Sequence, residues 1–146
     1  MSHLRKECQT HWATGTSAPC VGVFKPIWIE GGVLPDIGPL PKGTFDPQTL
    51  WWQHERLHRS ILPDFASRRR ILNMERDHLE NTFMEQSGSV SPNERGALTQ
   101  HAFKLAHDAT QQWTSRVQAM SAKPRGSMIY RGYWQKQNRK AGISAR

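Results

Sequence analysis

The hydrophobic positions of the first 29 residues follow the pattern of short β-strands. The segment from Gln9 to Ile29 is rich in Thr, Val, Trp and small residues, and Val21 and Val23 are separated by a glycine. β-Branched and aromatic side chains in alternation favour a pleated, half-buried strand. A second apolar group, from Phe24 to Ile29, is interrupted by Pro26. We therefore expect one or two short strands here, broken at Pro26.

From residue 48 onward the apolar positions recur at helical spacing. Asp46 followed by Pro47 predicts the start of a first helix, because aspartate caps a helix and proline suits its first turn. Trp51 and Trp52 are expected to anchor this helix. Its buried face is predicted to carry Leu50, His54, Leu57 and Ile61.

Two longer helices are predicted to follow. Pro63 should end the first helix and Asp64 should cap the second, which extends to a break at residues 86–90 and buries Phe65, Leu72, Leu79 and Phe83. Ser91 and Glu94 have the spacing of a capping box at the start of a third helix, which continues to Pro124. Its predicted apolar stripe is Leu98, Ala102, Leu105, Ala109, Trp113, Val117 and Met120.

The breaks between these patterns divide the chain. Residues 30–47 are dense in glycine and proline, which excludes a helix or a central strand but leaves open whether the connection is ordered or flexible. A last short helix is predicted from Ser127 to Lys140, stopped by Gly142. The fold class is α+β, with one or two strands and then three to four helices. The predicted divisions are a strand segment at 1–29, the connection at 30–47, a helical region at 48–122 and a basic C-terminal segment at 123–146.

Charge is distributed unevenly along the chain. All 12 acidic residues lie before residue 123, whereas the last 24 residues hold seven of the 20 Lys and Arg residues and account for most of the net charge of +8. A solvated basic tail is favoured over one that binds phosphate, so a nucleic-acid partner is not expected. No apolar run approaches the roughly 20 residues of a membrane span, and Arg5, Lys6 and Glu7 stand where a signal peptide is apolar. We expect a cytoplasmic protein.

The residues His54, Glu55 and His58 satisfy the HExxH pattern on the first predicted helix. Two histidines four apart share a helix face and can bind zinc, with the glutamate as general base for a bound water. The third ligand of such a metallopeptidase would come from Glu75 or Glu80 on the following helix.

The surroundings of this pattern favour a more ordinary interpretation. Arg56 and Arg59 place cations on the segment that would hold the metal. We instead expect His54 to pack among tryptophans and Glu55 to pair with Arg59 at i,i+4. The sequence therefore predicts neither a metal nor a cofactor site.

The two cysteines give no catalytic pattern. Cys8 lies three residues before His11 and Cys20 follows Pro19, which matches neither a CxxC pair nor a recognisable cysteine-nucleophile motif. Both are expected to be reduced thiols, buried and inert. No catalytic residue is predicted in this chain.

Four ordered blocks of the sequence resemble the C-terminal half of secernin-like dipeptidases. They are Trp12-Ala-Thr-Gly-Thr-Ser-Ala-Pro-Cys20, Val23-Phe-Lys-Pro-Ile-Trp28, Leu50-Trp-Trp-Gln-His-Glu-Arg-Leu-His-Arg59 and Glu75-Arg-Asp-His-Leu-Glu80. The ending Tyr133-Trp-Gln-Lys-Gln-Asn138 fits as well, so the resemblance covers nearly the whole chain. In that family the HExxH letters belong to a helical block and are not a zinc site.

The resemblance implies an N-terminal nucleophile hydrolase related to penicillin acyltransferases, with an αββα sandwich of two stacked sheets. The catalytic cysteine of such enzymes is the mature N-terminal residue, whose own α-amino group can serve as the base. Neither Cys8 nor Cys20 matches it, and Met1 falls inside the family pattern. The resemblance therefore implies a truncated reading frame or a fragment, which the N-terminal half of the same fold would complete.

The sequence thus predicts the C-terminal part of a secernin-like cysteine dipeptidase that is inactive alone and acts on a dipeptide or small amide when complete. The alternatives are the small zinc metallopeptidase and an RNA- or membrane-associated adaptor that uses the basic tail. Without neighbouring strands, the segment Gln9 to Ile29 is expected to leave apolar side chains exposed. Marginal folding or self-association of the isolated chain would follow.

Overall fold

The computed structural model describes residues 9–15, 18–29, 34–121 and 125–143. Two short strands, β1 (His11–Ala13) and β2 (Lys25–Ile27), precede four α-helices. These are α1 (Leu50–Ile61), α2 (Phe65–Ser89), α3 (Arg95–Ala119) and α4 (Met128–Lys140). The helix-rich α+β class and the order of strands before helices are confirmed.

Strands β1 and β2 form an antiparallel ribbon. Its register places His11 opposite Ile27, Trp12 opposite Pro26 and Ala13 opposite Lys25. The prediction that Pro26 breaks the strand is wrong, since it lies in the middle of β2. Proline lacks an N–H donor but is tolerated at the edge of a sheet, and among the described residues β2 has β1 as its one neighbouring strand.

The connection before α1 is ordered over its described part, residues 34–47. The backbone N–H of Leu50 donates to the Ile37 carbonyl over 3.0 Å, and the indole of Trp52 donates to the Lys42 carbonyl over 2.9 Å. Gly38 has a φ of +78°, and an added Cβ would lie 2.0 Å from the Gln48 carbonyl oxygen. Only glycine fits this close approach.

Helix α1 begins three residues later than the Asp-Pro pair predicts. Thr49 is the N-cap, and its hydroxyl accepts a hydrogen bond from the backbone N–H of Trp52. Asp46 instead accepts from the N–H of Gln48 over 2.9 Å, which forms a turn ahead of the helix. Trp52 is buried and meets Trp51 edge to face, as expected of a pair that anchors the helix.

Short 3₁₀ turns at Leu62–Asp64 and Pro92–Glu94 lead into α2 and α3. Neither predicted cap is made in the expected way: Asp64 accepts no capping hydrogen bond, and the Ser91 hydroxyl donates to the Glu94 carboxylate over 2.5 Å. Among the described residues, the side chains of Ser91 and Glu94 therefore bond to each other and not to the backbone N–H groups that a capping box uses. Phe65 is also more exposed than its place in the predicted stripe requires.

The hydrophobic core lies between α1, α2, α3 and the segment that carries the ribbon. Its fully buried side chains include Leu57, Ile61, Leu72, Phe83, Trp113 and Val117. Val21, Val23 and Trp28 are no more than 4% exposed, so the helices do cover much of the strand segment. The expectation that this segment stays uncovered is wrong at these three residues, although Ile29 remains 71% exposed.

Helix α4 follows the sequence prediction closely. The Ser127 hydroxyl accepts from the Tyr130 N–H and caps its start, and Gly142, with a φ of +69°, follows its end. The carbonyl of Ala141 accepts from the N–H of Phe45 over 2.8 Å, which ties the end of α4 to the connection ahead of α1. The basic C-terminal segment is thus docked on the helical region over its described residues.

Candidate functional site

The HExxH residues lie on α1, but their side chains have different surroundings. His54 is 2% exposed. Burial lowers the pKa of its imidazole from 6.5 to about 3, and the charges of Lys25 and His107 act in the same direction. The imidazole is therefore neutral at physiological pH and belongs to the interior of the fold.

Glu55 is the buried centre of a small charged cluster. One carboxylate oxygen accepts from Arg59 Nε over 2.7 Å, and the other lies 3.1 Å from His58 Nδ1. The predicted i,i+4 pair between Glu55 and Arg59 is confirmed. Because the carboxylate is 5% exposed and already faces these two groups, it is poorly placed to act as a general base for a water.

The glutamates considered as third metal ligands serve other contacts. Glu75 accepts from the indole of Trp113 over 2.7 Å and from both Nη atoms of Arg116. These hydrogen bonds, first that of Arg116 and then that of Trp113, lower the pKa of Glu75 to about 2. Glu80 accepts from the backbone N–H of Phe24 over 2.9 Å. Among the described residues, no three His, Cys, Asp or Glu side chains come together as a metal site.

Cys20 differs from its sequence expectation. It is a free thiol, as predicted, but it is exposed rather than buried. It lies in the 3₁₀ turn Pro19–Val21, and its carbonyl accepts from Arg76 over 2.8 Å. Cys8 lies outside the described residues. The backbone carbonyl of Cys20 thus contributes to the contact between the strand segment and α2.

Arg59 joins α1 to α4, a role that sequence reasoning missed. Its Nη1 donates to the Gln137 carbonyl and to Asn138 Oδ1, each over 3.3 Å. Its guanidinium also lies over the rings of Trp52 and Trp134, at 5.3 and 5.5 Å from their centroids. The one hint of this contact in the sequence was that Arg59 and Asn138 each end a block that resembles secernin-like dipeptidases.

A cavity of about 800 Å³ opens beside this junction, between the end of α1, the end of α3 and α4. Three aromatic side chains contribute to its wall, namely Phe45, Tyr130 and Trp134. Five arginines also line it, which are Arg56, Arg59, Arg68, Arg125 and Arg131. No Asp or Glu is among its described lining residues, so the cavity is strongly basic.

No family model matches the chain, and no curated protein or solved structure is significantly similar to it. In the part of the chain that the structure describes, each helix is too short or too polar to cross a bilayer.

Proposed function

We propose that this chain is the C-terminal part of a secernin-like cysteine dipeptidase of the N-terminal nucleophile hydrolase class, and acts in the cytoplasm. Its role is to complete the αββα sandwich, while a Cys-initiated N-terminal half supplies the nucleophile. The complete protein hydrolyses a dipeptide or small amide without a metal or organic cofactor. The observation that carries the proposal is the way in which the blocks of the resemblance contact one another.

The lysine of the Phe-Lys-Pro block holds the ribbon together. Lys25 is 1% exposed, and its ammonium donates to the carbonyl of Val23 over 2.7 Å and to that of Thr14 over 3.1 Å. Burial lowers the pKa of Lys25 to about 8, partly opposed by the charge of Glu80. A buried lysine costs stability unless its donors are satisfied, and these two carbonyls satisfy two of the three donors of Lys25.

The remaining blocks attach the ribbon and α4 to the helices. Glu80 accepts from the N–H of Phe24. Thr99 on α3, which lies outside the blocks, also donates to the Pro26 carbonyl over 3.0 Å. Arg59 makes the corresponding contact with Asn138 on α4. Residues far apart in sequence that resemble one family therefore form the joints of one folded unit, as expected if they belong to a common framework.

The ribbon is also incomplete as a sheet. Among the described residues, β1 has β2 as its one neighbour, and the side chains of His11 and Trp12 are exposed. Two-stranded ribbons are marginal in water, and free strand edges pair readily with further strands. Strand β2 contacts α2 and α3, so the helices lie against the β2 part of the ribbon. The free edge of β1 is where we place the N-terminal half.

Co-expression tests this placement directly. The chain is produced with the Cys-initiated N-terminal half of a secernin-like dipeptidase, and co-purification of the two polypeptides is measured. Trp12→Lys should reduce the complex at least tenfold, because it puts a charge beside the pairing edge. Met74→Lys is the matched control, since Met74 is 84% exposed on α2. Failure to form a complex, or equal effects of the two substitutions, would contradict the proposal.

A further inference from the structure

The basic cavity beside α4 carries more positive charge than the protein itself compensates. Five guanidinium groups line it, and two carboxylates stand close to them. Glu55 is bonded to Arg59, and Asp64 Oδ1 lies 3.3 Å from Arg125 Nε. Three of the five cations are thus left without a bonded carboxylate among the described residues.

Arg68 is the most buried of these three cations. It is 7% exposed, and its two Nη atoms donate to the carbonyls of Ser60 and Met120, over 2.5 and 2.9 Å. Its Nε has no hydrogen-bond partner among the described residues. Burial lowers the pKa of Arg68, which the charge of Asp64 partly opposes. The hydrogen bonds of this buried cation are made to neutral carbonyls, so a further anion in the cavity would stabilise it.

The other two cations lie at the exposed wall of the cavity. The guanidinium groups of Arg56 and Arg131 form no hydrogen bond or ion pair with another described residue, although Arg56 lies over the Phe45 ring at 5.4 Å from its centroid. Guanidinium groups bind phosphate and carboxylate oxygens in a planar, two-pronged geometry. Arg56 and Arg131 are therefore available to a ligand, while Arg68 supplies a fixed charge at the cavity wall.

The aromatic side of the cavity constrains the rest of the ligand. Tyr130 and Trp134 contact each other edge to face, with centroids 6.5 Å apart, and both line the cavity. Aromatic rings of this kind bind planar ligands by stacking or edge contacts. The volume of about 800 Å³ lies within the range of about 300–1,000 Å³ that is typical of small-molecule sites.

We propose that this cavity is a binding site for a small organic phosphate that carries an aromatic ring, of the size of a nucleoside monophosphate. The phosphate binds between Arg56 and Arg131, and the ring lies against Trp134. A phosphate monoester carries about two negative charges at neutral pH, which matches Arg56 and Arg131, with Arg68 behind them, better than a single carboxylate does. The site is separate from the free edge of β1 and is independent of the dipeptidase proposal.

Calorimetric titration of the full chain tests this inference with three probes: adenosine monophosphate, inorganic phosphate and adenosine. We expect one-to-one binding of the nucleotide, at least tenfold weaker binding of inorganic phosphate, and weaker binding still of adenosine. The affinity for the nucleotide should fall as salt is raised, because the charges are partly exposed. Equal affinity for adenosine and the nucleotide would overturn the phosphate assignment, and equal affinity for inorganic phosphate would overturn that of the ring.

Substitutions then locate the site. Arg56→Gln and Arg131→Gln should each weaken nucleotide binding about tenfold, while leaving the helical circular dichroism unchanged because both residues are exposed. Arg70→Gln is the matched control, since Arg70 is exposed on α2 and does not line the cavity. No nucleotide binding at millimolar concentration, or an equal effect of all three substitutions, would refute the proposal.

Discussion

The buried imidazole of His54 should make the stability of the protein sensitive to mild acid. Its pKa is about 3 in the folded chain, against about 6.5 in an unfolded chain. Between these two values the unfolded state binds a proton that the folded state does not, so the free energy of unfolding falls as pH is lowered below about 6.5. The contribution is fully present above that pH.

The size of the effect follows from the same two values. One pKa unit corresponds to about 1.4 kcal/mol, so lowering the pH from 7 to 5 should reduce the free energy of unfolding by about 2 kcal/mol through His54 alone. A domain of this size has a net stability of about 5–15 kcal/mol, which makes the loss readily measurable. The pKa of Lys25 is lowered to about 8. Its titration therefore changes the free energy of unfolding mainly above pH 7 and has little effect on the difference between pH 7 and pH 5.

Urea denaturation at pH 7 and pH 5 measures this difference for three proteins. The unmodified chain and His101→Gln should both lose about 2 kcal/mol, because His101 is exposed on α3. His54→Gln should have a lower free energy of unfolding at pH 7, but that free energy should change little between pH 7 and pH 5. If His54→Gln kept the full acid-dependent loss, the imidazole would not be the group responsible.

Three further outcomes are expected. Arg59→Ala should lower the free energy of unfolding by about 3 kcal/mol, because it removes the guanidinium bonded to the buried carboxylate of Glu55, and it should raise amide exchange in α4; unchanged exchange would contradict the contact between Arg59 and α4. Phe83→Ala should lower the free energy of unfolding, measured by denaturation, by about 3–5 kcal/mol, and Met84→Ala, at an exposed position, by less than about 0.5 kcal/mol; similar losses would refute the placement of Phe83 in the core. Zinc should bind no better than to a surface histidine pair, and stoichiometric zinc in the purified protein, lost in His58→Ala, would instead support the metallopeptidase.

Local patterns predicted the helices and one side-chain pair correctly. The apolar spacing predicted α1, α2 and α3 to within a few residues, Gly142 correctly marked the end of α4, and the i,i+4 rule predicted the pair of Glu55 and Arg59. Caps were less predictable, because Asp46 and Thr49 are both suitable residues. The structure uses Thr49 for the cap and Asp46 for the preceding turn, a choice that depends on where the connection docks.

Contacts distant in sequence were not accessible to such patterns. The buried face of α3 includes Thr99, Thr110 and Thr114, which a purely apolar stripe does not predict. Thr110 and Thr114 satisfy their hydroxyls on the carbonyl four residues earlier, and Thr99 does so on the ribbon. Burial of a hydroxyl is tolerated once it is hydrogen-bonded, and that partner becomes visible only in three dimensions.

The surroundings of His54 and His58 also depend on contacts between residues distant in sequence. The sequence marked His54 and His58 as a pair, whereas the fold buries one and turns the other toward Trp134, at 5.9 Å between ring centroids. The basic cavity was not foreseen either. Its arginines come from α1, α2 and the C-terminal segment, and only the docking of α4 brings them together.

The most direct test of the proposed function is dipeptide hydrolysis by the reconstituted protein. The chain alone should show no dipeptidase activity, since neither of its cysteines matches the N-terminal nucleophile. Co-expression with the Cys-initiated N-terminal half should yield activity that is lost when that first cysteine is replaced by alanine and kept in Cys20→Ala. Hydrolysis by the chain alone that disappears in Cys20→Ala, or an inactive complex of the two halves, would contradict the proposed function.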